Sequence, residues 1–170
     1  AISGRGPIVA GKCVFRREGD DLVVELPSGR RLYYRNARLG CDSARDGNDS
    51  ETGRTTITFD GPKAANVQTY GGKLTENIVQ AICRDLLAGV LVRCEQEGFP
   101  VVLHVHDEIV IEAPAHQAEN ALRRLLVIMS TPPAWAPGFP IEVEGFSAER
   151  CCKAPPYGGH PLRARLGVVS

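Results

Sequence analysis

The residues best suited to chemistry in this sequence are His106, Asp107 and Glu108, which follow one another between two apolar runs. The runs cover residues 101–105 and 109–111 and are rich in valine and isoleucine, a composition typical of strands buried on both faces. Carboxylates next to such strands are costly unless a cation meets them, and Mg²⁺ prefers carboxylate and water oxygens. Two interpretations stay open: a metal site at the tip of a tight hairpin, or two exposed turn residues on an ordinary hairpin.

A long helix is predicted directly before this hairpin, from Thr75 to about residue 97. Thr75 is a typical helix cap, and Gly98 followed by Pro100 predicts the end of the helix. Gln80 and Arg84 are four residues apart, so they share one helix face. That face is either functional or simply solvated. The apolar positions that define the helix are Val79, Ile82, Cys83, Leu86 and Val90.

The remaining elements predict an α+β fold, an antiparallel sheet with the 101–112 hairpin, flanked by two helices, plus an N-terminal β-hairpin insert. The first hairpin consists of residues 22–26 and 31–34 around a Pro-Ser-Gly turn. Its arginines at 30, 31, 35 and 38 either contact phosphate or form a solvated face.

We expect three regions: a β-rich insert and lead-in over 1–68, the hairpin-bearing segment over 69–153, and an unstructured tail over 154–170. Further predicted elements are a lead-in at 1–17, a polar loop at 36–54, strands at 55–59 and 140–144, and a helix opening at Pro114 and ended by Pro132-Pro133.

Composition excludes several classes of protein. The chain has 170 residues, 43% hydrophobic and 24% charged, with zero formal net charge, which is typical of a globular domain and not of a disordered chain. No apolar run approaches the roughly 18 residues of a membrane helix, and no signal peptide is recognised. The six cysteines form no CxxC pair, so we expect reduced thiols in a cytoplasmic protein without a membrane partner.

Two alternative metal sites are weak. His104 and His106 alternate along a predicted strand, but further zinc ligands are not found near them. Adjacent Cys151 and Cys152, with His160 in the tail, are poorly arranged to chelate one ion.

The sequence of residues 70–112 resembles the C-terminal part of family A (Pol I-like) DNA polymerases, closest to their bacteriophage branch. His106-Asp107-Glu108 between two apolar strands is similar to the last catalytic motif of that family, and the helix bearing Gln80 is similar to the palm helix before it. The phage-branch likeness extends to the stretch from Tyr70 to Asn77, the hairpin around Leu26 to Arg30, and the closing stretch 131–153. In total the resemblance covers about residues 20–153.

The resemblance implies a palm-like fold, a role for each candidate residue and a set of ligands. Asp107 is expected to be catalytic and to bind the Mg²⁺ ions of a two-metal centre, and Glu108 to tune water and metal beside it. His106 is expected to contact the primer terminus and Gln80 the minor groove of the nascent base pair. Arg84 is a weaker candidate for nucleic-acid binding, based on its spacing from Gln80. The implied substrates are DNA primer-template and deoxynucleoside triphosphates, in a bacterial host cytoplasm if the chain is phage-derived.

Two parts that family A polymerases use are not recognised in this sequence: an earlier metal-binding aspartate and a fingers helix with an arginine and a lysine. Asp60 reads as a turn and does not replace that aspartate. The resemblance therefore implies the C-terminal palm part of a DNA polymerase, inactive alone, which needs the remaining polymerase polypeptide. It leaves open a split enzyme, a fragment and a decayed remnant. The alternative is an incomplete remnant or docking module without activity.

Overall fold

The computed structural model describes residues 6–42, 54–152 and 162–165. The chain divides into two compact units, Ala1–Ile82 and Cys83–Ser170. The described strands are β1 Ile8–Ala10, β2 Cys13–Glu18, β3 Asp21–Glu25, β4 Arg31–Asp42, β5 Arg54–Asp60, β6 Val67–Thr69, β7 Val101–Val105, β8 Glu108–Ile111, β9 Glu142–Gly145 and β10 Leu162–Arg165. The helices are α1 Gly71–Gln96 and α2 Ala118–Ser130, with a short 3₁₀ turn over Ala115–Gln117 before α2.

The first unit is built on a six-stranded antiparallel sheet in the order β1 to β6. The predicted hairpin is confirmed as β3–β4, and the Leu26 amide donates to the Arg30 carbonyl across its turn at 2.8 Å. The predicted lead-in contains two strands, β1 and β2, which extend this sheet. One sheet face packs against the first part of α1 in a core centred on Leu22, Val24, Leu26, Tyr34 and Leu74.

Strand β4 is longer than the sequence predicts, because residues 36–42 continue it where a loop was expected. Its pairing with β5 shifts register between Arg35 and Arg38, and Asn36 at this bulge has a positive φ of 49°. A bulge adds an unpaired residue without ending a strand. The polar residues 36–42, which were predicted as a loop, can therefore continue β4. The remainder of the predicted loop, 43–53, lies outside the described residues.

Helix α1 begins at Gly71, four residues before the predicted start. Leu74 donates its amide to the Tyr70 carbonyl at 2.9 Å and is buried, so the first turn closes earlier. The Thr75 hydroxyl donates to the Gly71 carbonyl inside that turn and caps nothing. The predicted stop at Gly98 is confirmed. Phe99 donates to the Cys94 carbonyl and Gly98 to the Glu95 carbonyl, which is the Schellman pattern of helix termination.

The second unit has its core where the end of α1, the β7–β8 hairpin and α2 pack together around Val90, Cys94, Phe99 and Leu125. The tight antiparallel hairpin predicted around residue 106 is confirmed. Its predicted burial is wrong: β7 and β8 form a two-stranded sheet of their own among the described residues, and β7 is exposed from Val102 onward. Pro114 precedes the 3₁₀ turn, and α2 begins four residues after it.

The predicted final strand is present as β9, shifted to Glu142–Gly145. It pairs with β10, so the prediction of an unstructured tail does not hold for Leu162–Arg165. The rest of that tail lies outside the described residues. Neither described helix has the combination of length and apolar character that crossing a bilayer requires.

Candidate active site

The tip of the β7–β8 hairpin presents His106, Asp107 and Glu108 together. Val105 pairs with Glu108, and His106 and Asp107 form the two-residue turn between them. All three side chains are exposed. Below the tip, Val101, Ile109 and Ile111 pack on the core of the second unit, which anchors the base of the hairpin. The turn predicted around these residues is present, and both carboxylates are exposed.

The backbone of His106 is unusual, with a φ of 51°. This left-handed conformation is uncommon for residues with a side chain, although histidine adopts it more often than most. Two-residue hairpin turns demand a positive φ at their first position, where glycine or asparagine is usual. His106 therefore occupies a position at which the turn alone favours a different residue.

Gln80 and Arg84 lie on α1 and both side chains are exposed. Their spacing puts them on one helix face, as predicted. Gln80 belongs to the unit Ala1–Ile82, where it lines an open groove of about 310 Å³ together with Leu32, Tyr33, Tyr34, Phe59 and Asn77. Exposure is compatible with both interpretations of this face, nucleic-acid contact and simple solvation.

Two contacts near Gln80 were missed at the sequence level. Asn77 donates from its side-chain amide to the Tyr34 hydroxyl at 3.4 Å, and Arg30 donates to the Ala81 carbonyl at 2.8 Å. Asn77 is three residues before Gln80, so helical spacing could have identified it. Arg30 could not be identified in this way, because it is 51 positions from Ala81 in the chain.

Two of the four arginines of the first hairpin pair with carboxylates of their own unit. Arg31 faces Glu18 and Glu25 at 3.7 Å, and Arg35 pairs with Asp21 while its guanidinium lies 4.8 Å above the Tyr33 ring. Arg38 donates to the Asn66 side chain at 3.5 Å. The carboxylate partners of Arg31 and Arg35 favour internal charge compensation over phosphate contact at these two positions.

The thiols and the metal-ligand types are dispersed. Cys13 and Cys94 are buried, and burial raises the pKa of both thiols, whereas Cys83, Cys151 and Cys152 are exposed. No three side chains of histidine, cysteine, aspartate or glutamate cluster as a metal site within residues 6–42, 54–152 and 162–165. Asp107 and Glu108 fit Mg²⁺ by donor type, since both offer hard carboxylate oxygens in the open. His160 is outside the described residues.

Comparison with known proteins gives one informative match. The chain is 39% identical, over 151 residues, to the DNA polymerase of Bacillus phage SP02. This alignment covers 86% of the chain and 22% of that polymerase, so the chain spans about a fifth of the length of the curated relative it matches. No family model matches the chain, and no solved structure matches it. The chain is therefore related to a segment of a phage DNA polymerase.

Proposed function

We propose that this chain is the C-terminal palm part of a family A DNA polymerase and acts in template-directed transfer of nucleotides to a primer 3′-hydroxyl. The observation that carries the proposal is the exposed Asp107-Glu108 pair at the tip of a tight hairpin, in a chain related to a phage DNA polymerase over most of its length. An acidic tip serves no packing purpose, because neither carboxylate is buried.

Each candidate residue then has a distinct task. Asp107 would hold Mg²⁺, with Glu108 beside it ordering water and tuning the charge of the site. When bound, Mg²⁺ supplies Lewis-acid activation of the primer hydroxyl and charge stabilisation at the leaving pyrophosphate. His106 would orient the primer terminus at the same tip. Gln80 would donate to minor-groove acceptors, which occupy similar places in every base pair, and Arg84 would contact phosphate.

The remaining catalytic groups come from polymerase polypeptide outside the matched segment. A two-metal site needs more than one carboxylate position, and this chain contributes one. We therefore expect the isolated chain to be inactive and the assembled polymerase to extend primers.

The test is primer extension with Mg²⁺ and deoxynucleotides. It compares this chain alone with a chimeric SP02 polymerase that carries the chain in place of its matched segment. Asp107→Asn in the chimera should lower turnover by about three orders of magnitude or more, while primer-template affinity changes little, because the carboxylate acts on transition-state charge. Glu119→Gln is the matched control, since Glu119 is an exposed carboxylate held by Arg123 on α2. Equal losses in turnover and DNA affinity would make Asp107 structural.

The second candidate function is a docking module, or an incomplete remnant, with no activity of its own. The exposed apolar side chains of β7 favour it, because they offer a surface for association. An active chimera whose turnover is insensitive to Asp107→Asn would support this alternative.

A further inference from the structure

We propose that Arg30 and Tyr34, both on the β3–β4 hairpin, are positioning residues that hold Gln80 ready for the minor groove of the nascent base pair. The inference rests on the proposed function, in which Gln80 donates to minor-groove acceptors. It gives the hairpin a role in polymerisation in addition to its place in the sheet. The three residues belong to the same unit, Ala1–Ile82.

The first contact joins strand β4 to the first half of α1. Tyr34 is 4% exposed, and its ring lies edge-on to the Phe59 ring with the two centroids 5.1 Å apart. The side-chain amide of Asn77 donates to the Tyr34 hydroxyl at 3.4 Å. A ring packed in this way holds its hydroxyl in place, so the hydroxyl is a fixed acceptor that keeps the Asn77 side chain against the sheet.

This contact matters for Gln80 because Asn77 is a neighbour with which Gln80 can pair. Side chains three residues apart on a helix lie side by side, and two amides at that spacing can hydrogen-bond to each other. Such a pair would hold the Gln80 amide on the helix surface, away from DNA. Because the Tyr34 hydroxyl binds the Asn77 amide, the Gln80 amide is kept for a ligand.

The second contact fixes the helix backbone beside Gln80. The Arg30 guanidinium donates to the Ala81 carbonyl at 2.8 Å, and Ala81 packs against the core of this unit. A carbonyl inside a helix already accepts from the amide four residues later, so the Arg30 bond uses its second lone pair and is not needed to complete the helix. The bond therefore ties the hairpin turn to α1 at the residue that follows Gln80.

The two contacts converge on the groove that Gln80 lines. Leu32, Tyr34 and Phe59 of the sheet and Asn77 of α1 line the same groove. Gln80 therefore meets a ligand from a helix segment whose backbone and neighbouring amide are both held by the hairpin. A side chain that must donate to one acceptor gains from such fixing, because a small displacement of a positioned group costs much of its effect.

The experiment uses the chimeric SP02 polymerase and a base that lacks the minor-groove acceptor. Guanine is replaced by 3-deazaguanine, which has a C–H in place of the N3 acceptor, once in the templating base and once in the incoming nucleotide. The ratio of single-turnover rates with guanine and with 3-deazaguanine measures the minor-groove contact. A variant that only weakens folding slows both reactions equally and leaves this ratio unchanged.

The wild-type chimera should show a ratio of about five at one of the two positions, which corresponds to one typical hydrogen bond. Gln80→Ala should bring the ratio to about one, and Tyr34→Phe and Arg30→Met should each lower it by about twofold or more. Neither should change the ratio further in the Gln80→Ala background. Arg31→Met is the matched control, because Arg31 follows Arg30 but pairs with carboxylates of β2 and β3, and it should keep the wild-type ratio.

Hydrogen exchange of the isolated chain provides a measurement that does not depend on polymerisation. Amides of α1 around Gln80 should exchange faster in Arg30→Met than in wild type, whereas Arg31→Met should match wild type. Equal exchange in all three proteins would overturn the tie between the hairpin and the helix.

The outcomes separate this inference from the proposed function. A ratio that Gln80→Ala lowers but Tyr34→Phe and Arg30→Met do not would overturn the inference and leave the proposed function standing. Equal slowing of both reactions in Arg30→Met would make Arg30 a phosphate contact or a structural residue instead. A ratio insensitive to Gln80→Ala would contradict the role of Gln80 and this inference together. A chimera that extends no primer, with exchange as expected, would contradict the proposed function and support the tie.

Discussion

At the scale of single residues, the left-handed backbone of His106 allows the effect of turn geometry on stability to be distinguished from the effect of the imidazole on primer binding. Glycine adopts a φ of 51° without steric cost, whereas alanine does not. His106→Gly should therefore be more stable than His106→Ala by about 1 kcal/mol, measured by urea unfolding.

Primer affinity of the chimeric polymerase should fall in both variants, since both lose the imidazole. Recovery of wild-type primer affinity in the glycine variant would show that only the turn geometry matters at this position.

At the scale of elements, the β4 bulge is fixed by two carboxylates. Asp60 accepts from the Asn36 side-chain amide at 2.7 Å and from the Asn66 amide at 3.2 Å, and these bonds hold the pKa of its carboxyl below the ordinary value. The Asn36 amide and Arg35 lower the pKa of Asp21 in the same way. A lowered folded-state pKa means that the stabilisation is complete above the unfolded value, near 4, and is lost as the pH falls through the folded value.

The melting temperature should therefore drop below about pH 4, and part of that drop should disappear in Asp60→Asn. Glu76→Gln, at an exposed position on α1, is the control and should retain the full acid sensitivity. Identical pH profiles for wild type and Asp60→Asn would exclude this network as its source.

The end of α1 offers a matched pair of glycines. Gly98 has a φ of 74° at the Schellman terminus, while Gly89 lies within the helix, and a Cβ would meet no atom within 4 Å at either position. Gly98→Ala should destabilise the fold by about 1 kcal/mol through backbone strain, and Gly89→Ala should stabilise it by about 0.8 kcal/mol through helix propensity. Chemical denaturation measures both, and changes of the same sign would contradict the backbone explanation.

At the scale of the whole molecule, the isolated chain should associate or be poorly soluble. Val102, Leu103 and Val105 are exposed within four consecutive residues of β7, and contiguous apolar surface is normally covered by a partner. Size-exclusion chromatography across a concentration series should show species larger than a monomer. A stable monomer at every concentration would contradict the expectation that the isolated chain associates.

The sequence by itself determined the features that depend on neighbouring residues. β-prone runs around Pro27-Ser28-Gly29 and around His106-Asp107 predicted both hairpins, and the Gly98 stop of α1 is confirmed. The acidic tip could be predicted in the same way, because residues adjacent in a turn stay adjacent after folding. The relation to a phage DNA polymerase segment agrees in general terms with the resemblance inferred from these motifs.

Only the tertiary structure decided which faces are covered and which charges are compensated. The bulges near Asn36 and at Val102 arise from cross-strand pairing. The valine-rich run 101–105 predicted a strand covered on both faces, but β7 is exposed from Val102 onward. Arg31 and Arg35 belong to a run of basic residues in the sequence, and the neighbouring strands β2 and β3 supply Glu18, Glu25 and Asp21 as their partners. Local patterns fix local geometry, whereas burial and ion pairing depend on which strands and helices pair and pack together.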